Sequence, residues 1–255
     1  MIVVISPAKK LDFETPAPTT DFSNLQDINK SEELIKELRK CSPAKISKLM
    51  KLSDDLTSLN VKRYKECKTP FSLKNAKQAM FAFKGDTYVG LDADSMNKKE
   101  IKFAQKHLRI LSGLYGLVSP LDLVQPYRLE MGTKFPCGEA KNLYEFWREN
   151  ITAQLNDLLK KEKVLINCAS NEYFKSIDTK NLNAKVIVPE FREKKGSEYK
   201  MVSFFAKKAR GMMSRYIIQN QVKDPSGLLD FDLEGYRYNK KLSSELSPCF
   251  TRDNS

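Results

Sequence analysis

A single histidine, His107, serves all 255 residues. That scarcity removes most metal-site and catalytic-triad chemistry, because both draw on imidazole nitrogens. His107 lies on an amphipathic stretch beside Leu108, where it reads as a surface or helix-packing residue rather than a base. Phosphate-cradling glycine motifs are missing too: no Walker A, no G-x-G-x-x-G and no G-x-S-x-G occurs. The five cysteines (Cys41, Cys67, Cys137, Cys168 and Cys249) form an odd set with no C-x-x-C pair. Neither a zinc ribbon nor a thioredoxin motif can be drawn from them, and reduced thiols in a cytosol are the simplest expectation. No stretch approaches the roughly 18 apolar residues of a membrane helix. The opening run MIVVISPAKK is broken by Pro7 and Lys9, too early for a signal h-region. The expectation is a cytoplasmic protein without membrane association, metal or other cofactor, and any enzyme here would have to work with Lys, Arg, Tyr and carboxylates.

What is present is basic and foldable. Forty-four Lys and Arg against 32 Asp and Glu leave a net charge of +12 and a pI near 9.3, while 41% hydrophobic and 10% aromatic content is too rich for a disordered chain. Such an excess attracts polyanions, of which nucleic acid is the most abundant in a cell. A lysine-rich composition gives the same total without function, so the placement of the cations matters more than their number.

Ile2 to Ile5 is a β-branched run that reads as a buried strand delivering Ser6, Pro7, Ala8 and Lys9 to a sheet edge. Ser31-Glu32-Glu33 looks like the capped start of a helix, and Ser42-Pro43 of a second. A third helix is expected from Asp54 or Asp55 through Leu56, Leu59 and Tyr64. Leu73 to Phe83 reads as helical, Thr87 to Val89 as a short strand or extended turn, and Lys98 to Gly113 as another helix. Residues 112–132 read as an ordered, partly buried loop with a short strand. A helix over Leu143 to Lys161 and strands at Val164 to Asn167, Val186 to Val188 and Tyr199 to Phe205 follow, then a basic helix over Lys207 to Asn220 and a polar tail, Ser243 to Ser255, expected to fray. Strands and helices alternate without a fixed repeat. The fold class is therefore mixed α/β (α+β), a single domain over residues 1–255 with a mixed sheet flanked by helices. No feature specifies an oligomeric state.

Three constellations could carry chemistry. Lys207, Lys208, Arg210 and Arg215 place four cations within nine residues with no intervening acid. On a helix Lys208 and Arg215 share a face, with Lys207 and Arg210 beside it and Ala206, Ala209, Met213 and Ile217 turned inward. Gly211 costs such a helix roughly 1 kcal/mol against Ala, so it permits close approach of another backbone or of a phosphate; the alternatives are an anion site and a solvated face beside a packing glycine. The second cluster is Lys45, Lys48, Lys51, Lys62, Arg63 and Lys65 on two successive short helices. Residues 42–67 thus suggest a helix-hairpin-helix-like element, a device that grips duplex phosphates without reading bases. Glycines usually form its hairpin, and the comparable stretch Leu56 to Asn60 has none. The third lies in an apolar loop, where unpaired charge would be costly. Arg128 either pairs with Glu130 or Asp122 or helps form a polar pocket with Lys9, Ser112, Glu130, Ser170 and Glu172 at the strand ends.

The chain resembles the YaaA family of bacterial peroxide-stress proteins. The resemblance is carried by Ile5-Ser6-Pro7-Ala8-Lys9, Ala82-Phe83-Lys84-Gly85-Asp86, Tyr88-Val89-Gly90-Leu91, the run from His107 to Gly132, Asn142 to Trp147, Ala169 to Lys175, and Ala206 to Gly211, spanning almost the whole chain. It implies a cytoplasmic stress-response protein that protects against hydrogen peroxide, with a link to iron homeostasis, a compact α/β fold, and duplex DNA as partner through a positively charged cleft and a helix-hairpin-helix-like element. No settled catalytic activity comes with it. The leading expectation is non-specific duplex binding through Lys45, Lys48, Lys51, Lys62, Arg63, Lys207, Lys208, Arg210 and Arg215. The alternative is an enzyme acting on a nucleotide or damaged nucleic acid in the pocket of Lys9, Ser112, Arg128, Glu130, Ser170 and Glu172. Iron sequestration is a third possibility, handicapped by the single histidine.

Overall fold

A computed structural model describes residues 1–161 and 163–253. Its centre is the strand the opening sequence calls for: β1 (Ile2–Ile5), every residue buried. Each such aliphatic side chain contributes roughly 1.5 to 3 kcal/mol on burial. β1 pairs in parallel with β2 (Leu108–Ser112) on one side, Val4 opposite Arg109, and with β4 (Val164–Cys168) on the other, Ile5 opposite Cys168. β3 (Gly116–Val118) runs antiparallel on β2, and β5 (Lys185–Ile187) parallel on β4, giving the order β3-β2-β1-β4-β5. From β1 the chain returns to the sheet at β2, and from β4 at β5, so the two exits diverge. A crevice opens where connections part in this way, at the carboxyl ends of the strands.

A second sheet comprises β6 (Glu190–Lys195), β7 (Glu198–Lys200), β8 (Arg237–Tyr238) and β9 (Cys249–Arg252), in the order β7-β6-β9-β8. Its core is aromatic: the rings of Phe191, Phe231, Tyr236 and Phe250 lie 5.3 to 6.2 Å apart. Buried Glu193 accepts from Arg252 Nε at 2.9 Å and from the Tyr236 hydroxyl.

Among the described residues seven α-helices of six or more residues surround the sheets: α1 (Ile28–Arg39), α2 (Pro43–Met50), α3 (Asp54–Glu66), α4 (Asp86–Leu91), α5 (Lys98–His107), α6 (Leu143–Leu159) and α7 (Ser203–Gln219). Ser42 caps α2 by accepting the Lys45 N–H, and Ser53 caps α3, whose first turn carries Asp54 and Asp55. On α6, Trp147 is fully buried and donates to the Gly113 carbonyl at 2.9 Å. Gly116 (φ +68°) makes room for that indole, since a Cβ there would sit 2.6 Å from it. Two glycines let α4 and α7 cross with their backbones in close contact. A Cβ on Gly90 would meet the Lys208 carbonyl oxygen at 2.1 Å, and one on Gly211 the Thr87 carbonyl oxygen at 1.8 Å.

Several local expectations are corrected. α1 starts at Ile28, with Ser31 buried inside it and its hydroxyl turned back to the Asp27 carbonyl. Leu73 to Phe83 is not one helix: Lys77–Gln78 pairs with Leu123–Val124, a single turn covers Ala79–Ala82, and Phe83–Lys84 pairs with Lys10–Leu11. The Ala79 and Met80 N–H groups donate to the carbonyls of Asp122 and Pro120, so long-range partners outbid the local helix. Thr87 to Val89 is helical within α4, because α7 offers it a packing surface. The helix expected to reach Gly113 stops at His107, where Leu108 to Ser112 joins β1 as a buried strand. His107 is indeed packed, its Nδ1 2.9 Å from the Met1 carbonyl and its ring stacked on Phe103. Of the strand expected at Tyr199 to Phe205 only Tyr199 and Lys200 are in one, which runs Glu198–Lys200, and α7 already begins at Ser203. In the tail expected to fray, Cys249–Arg252 is strand β9; residues 254–255 lie outside those described.

Candidate functional site

The crevice is built from the exits of β1 and β4. Ser6 and Ser170 lock them together: Ser6 Oγ accepts the Ser170 N–H at 2.9 Å, and the two hydroxyls stand 3.3 Å apart. Gly85, at φ +149°, carries the chain into α4 with its Cβ position 3.3 Å from Ala8 Cβ, a backbone shape that suits glycine. Three residues on, the Tyr88 hydroxyl donates to the Ser6 carbonyl at 3.2 Å. The glycine crossing then sets α7 over the opening. A cavity of about 400 Å³ results, walled by both strand exits, residues 84–88, the Tyr127–Glu130 loop and two α7 cations, Lys207 and Arg210.

Charged and aromatic side chains share its lining. Glu130 Oε1 lies 3.1 Å from Lys9 Nζ and 3.2 Å from Arg128 Nε. Arg128 and Glu130 are only 18% and 15% exposed, so this triad is held in a partly dry setting, whereas the Lys9 side chain reaches outward at 65%. Buried Tyr88, Tyr127 and Tyr173 line the interior. Burial raises all three phenols well above their usual range, so they are neutral donors. Cys168 ends β4 at the same wall; burial, only partly offset by Ser214 and Arg210, pushes its thiol up to about 12. It is no ready nucleophile.

The neighbouring loop ties this cavity to the helix pair. The Tyr64 hydroxyl on α3 donates to the Arg128 carbonyl. Next to it, Arg63 is held below the usual guanidinium range, first by burial and then by repulsion from Arg128. Arg63 on α3 thus feels the charge of Arg128 in the cavity wall.

Lys9, Arg128, Glu130, Ser170 and Glu172 come together as cavity lining. Glu172 also clamps the loop, accepting the Gly132 N–H at 3.0 Å. Ser112 does not line the cavity. It is fully buried, 2.6 Å from the Tyr127 hydroxyl, and accepts the N–H groups of Leu114 and Tyr115, so it props the wall from behind. Arg128 pairs with Glu130 and not with Asp122, which accepts from Ser23 at 2.6 Å and from the Ser119 N–H at 2.7 Å.

The four α7 cations divide. Lys208 is bound to Glu234, and Arg215 donates to the Leu91 and Asp92 carbonyls and to Ser95. Lys207 and Arg210 face the cavity, and among the described residues their side chains make no ion pair or hydrogen bond. The space left by Gly211 is filled by the α4 backbone, which decides between the packing and phosphate readings in favour of packing. Lys45, Lys48, Lys51 and Lys62 are exposed on α2, its end and α3; Lys62 stands 3.8 Å from Glu66. The link between these helices is Lys51-Leu52-Ser53, not Leu56 to Asn60, which lies inside α3. Lys51 itself takes the left-handed turn, at φ +52°. Leu56 and Leu59 are exposed, and Thr57, Asn60 and Tyr64 are the buried positions.

Sequence reading missed Lys84, Tyr88, Tyr127, Tyr173 and Cys168 as lining. Its one available signal was Lys84-Gly85-Asp86, a glycine between opposite charges directly after a buried run. Among the described residues no three of His, Cys, Asp and Glu gather closely enough to hold a metal ion.

A mostly parallel sheet with a crevice at its central switch point, lined by tyrosines, Lys207 and Arg210, defines the class: a compact α/β protein. Residues 1–242 match the family described as peroxide stress protein YaaA, and the chain belongs to that family. It is 52% identical over 256 residues to a UPF0246 protein of Pseudoalteromonas translucida (strain TAC 125), covering 99% of each chain. A UPF0246 protein of Aliivibrio fischeri (strain MJ11) is 51% identical, over 99% of this chain and 98% of its own length. One of Colwellia psychrerythraea is 52% identical over the whole of both chains. Among the described residues no helix is long and apolar enough to cross a membrane.

Proposed function

We propose that this chain serves in cytoplasmic peroxide-stress protection by binding duplex DNA without sequence preference, its cations contacting backbone phosphates. The observation that carries this reading is the hydrogen bond from the Tyr64 hydroxyl on α3 to the Arg128 carbonyl in the cavity wall. That bond ties the 42–67 helix pair to the loop walling the cavity that Lys207 and Arg210 line, which supports a single polyanion touching both. Lys45, Lys48, Lys51, Lys62 and Arg63 would grip one stretch of backbone and Lys207 and Arg210 the next. Lys208 and Arg215, already paired, contribute less. Binding driven by phosphates loses affinity with salt at a log–log slope of about −0.9 per contact. Fluorescence anisotropy of a labelled duplex over a salt series should give a slope of several units, equal for unrelated sequences. Affinity that is flat in salt, or no duplex binding at low salt, would overturn the reading.

A second reading, an enzyme acting on a nucleotide or damaged nucleic acid, is favoured by Glu130. A carboxylate held between Lys9 and Arg128 in a cavity is placed as an acid–base group is, and such groups contribute roughly a hundredfold or more to rate.

A further inference from the structure

Three features of the crevice are left over once surface binding of a duplex is accounted for. Lys207 and Arg210 are unpaired cations at a concave mouth, beside two α7 neighbours that are both paired. The interior is walled by tyrosines, which a passive phosphate-gripping surface does not require. Glu130 meets Lys9 and Arg128 most closely through Oε1, and Oε2, on a side chain lining the cavity, accepts no hydrogen bond among the described residues. An unpaired carboxylate oxygen repels a bare phosphate and welcomes an N–H or O–H donor. Two uncommitted cations, an aromatic wall and one acceptor in a single cavity are complementary to a ligand with an anionic end and a flat, hydrogen-donating end.

We propose that the crevice is a binding site for one nucleoside 5′-phosphate unit. Its phosphate lies against Lys207 and Arg210, and its base enters among Tyr88, Tyr127 and Tyr173 with an N–H donated to Glu130 Oε2. About 400 Å³ falls within the range of small-molecule pockets and is far too small for a paired duplex. A unit belonging to DNA would therefore have to leave the stack, which costs least at an unpaired position. The inference deepens the proposed function and rests on it only where the unit is part of DNA; a free nucleotide satisfies the same chemistry.

The test is calorimetric titration of the full chain with deoxynucleoside 5′-monophosphates, ribose 5-phosphate and inorganic phosphate. Saturable one-to-one binding of the monophosphates is expected, at least tenfold tighter than either base-less probe. Lys207→Ala and Arg210→Ala should each weaken it about tenfold, and Glu130→Gln should erode the preference over ribose 5-phosphate. Lys207 is an exposed side chain, so its variant tests the site without endangering the fold. Two duplexes then identify the source. Displacement of bound monophosphate by a duplex with one unpaired nucleotide, but not by a fully paired one, assigns the unit to DNA; displacement by neither assigns it to free nucleotide. Equal affinity for phosphate and monophosphate, or no monophosphate binding, overturns the inference. Salt-dependent duplex binding would survive that failure, so the two proposals fall separately.

Discussion

The crevice and the α2–α3 helix pair both hold cations, and they hold them differently. On the helix pair Lys45, Lys48, Lys51 and Lys62 stand in water on short elements. Each is screened within about 8 to 10 Å at moderate salt, so together they offer an additive, forgiving grip. In the crevice Arg210 and Arg128 are partly enclosed, and the α4–α7 crossing fixes where the cations sit. Enclosure lowers the local dielectric and limits what can approach, so the same residue types become selective. The contrast teaches that composition sets how strongly a polyanion is attracted, while placement sets what it must look like.

The largest effect should come from the crossing itself. Gly211→Ala drives a Cβ into the α4 backbone, and backbone cannot rotate away. Overpacking costs about 1 to 3 kcal/mol or more, or roughly 2 to 12 °C in Tm for a chain of this size. Thermal melts should show a loss at the upper end of that range, whereas Leu59→Ala on the exposed face of α3 should shift Tm by less than about 2 °C. Equal melts would mean that the crossing does not hold the crevice.

Glu130→Gln comes next. It leaves Arg128 partly buried beside a neutral amide, and removing one partner of a fully buried pair costs about 3 to 5 kcal/mol. With Lys9 and Arg128 still able to reach water, a loss of about 1 to 2 kcal/mol in a denaturant titration is expected. Duplex affinity should be unchanged or raised, since a negative charge is removed. If the folded variant binds DNA normally yet no longer protects cells against peroxide, the enzyme reading moves ahead of the binder.

Smaller again is the effect of single cations on binding. Lys207→Ala and Arg210→Ala should each flatten the salt slope by about 0.9, while Lys208→Ala, its charge already committed to Glu234, should change it by less than half as much. Equal effects at all three would erase the distinction between the crevice cations and their neighbour. The smallest effect concerns the thiols at the two regions. Cys168 at the crevice is fully buried and pushed up to about 12, so at pH 8 almost none of it is thiolate. Half-buried Cys41, one residue before the α2 cap, should alkylate first in a mass-spectrometric time course, with Cys168 modified only on unfolding. Rapid labelling of Cys168 at pH 8 would show the crevice wall to be open. Cys67 follows Cys168: burial pushes it up to about 11 despite Arg39 nearby, contrary to the thiolate its basic flank suggests.

Legibility followed the range of the forces. β1 and the start of α2 were readable because a β-branched run and a Ser-Pro cap act within a few residues. The inward face of α7 was readable from spacing alone, Ala206, Ala209, Met213 and Ile217 all being buried. The second sheet was largely missed. Its strands are short and charged, and β6 pairs in parallel with β9 across more than fifty residues, a partnership that leaves no local periodicity. Leu73 to Phe83 misled for the opposite reason: residues 76–83 are all buried, and a stretch buried on every side satisfies helix and strand patterns equally.

Of the site, Lys9, Arg128, Glu130, Ser170 and Glu172 were suggested by charge in an apolar loop and by position after strands. The sequence by itself determined that the chain would fold as a basic α/β protein, where its first strand and its most basic helix lie, and that its loop charges needed partners. Only the tertiary structure decided which two of the four α7 cations stay unpaired, that Gly211 admits a backbone and not a phosphate, and that Ser112 stands behind the wall. The physical reason is that a side chain's partner is chosen by contacts between residues far apart in sequence. Lys208 is paired by Glu234 and Arg215 by carbonyls at Leu91 and Asp92, and neither choice is written in the residues beside them.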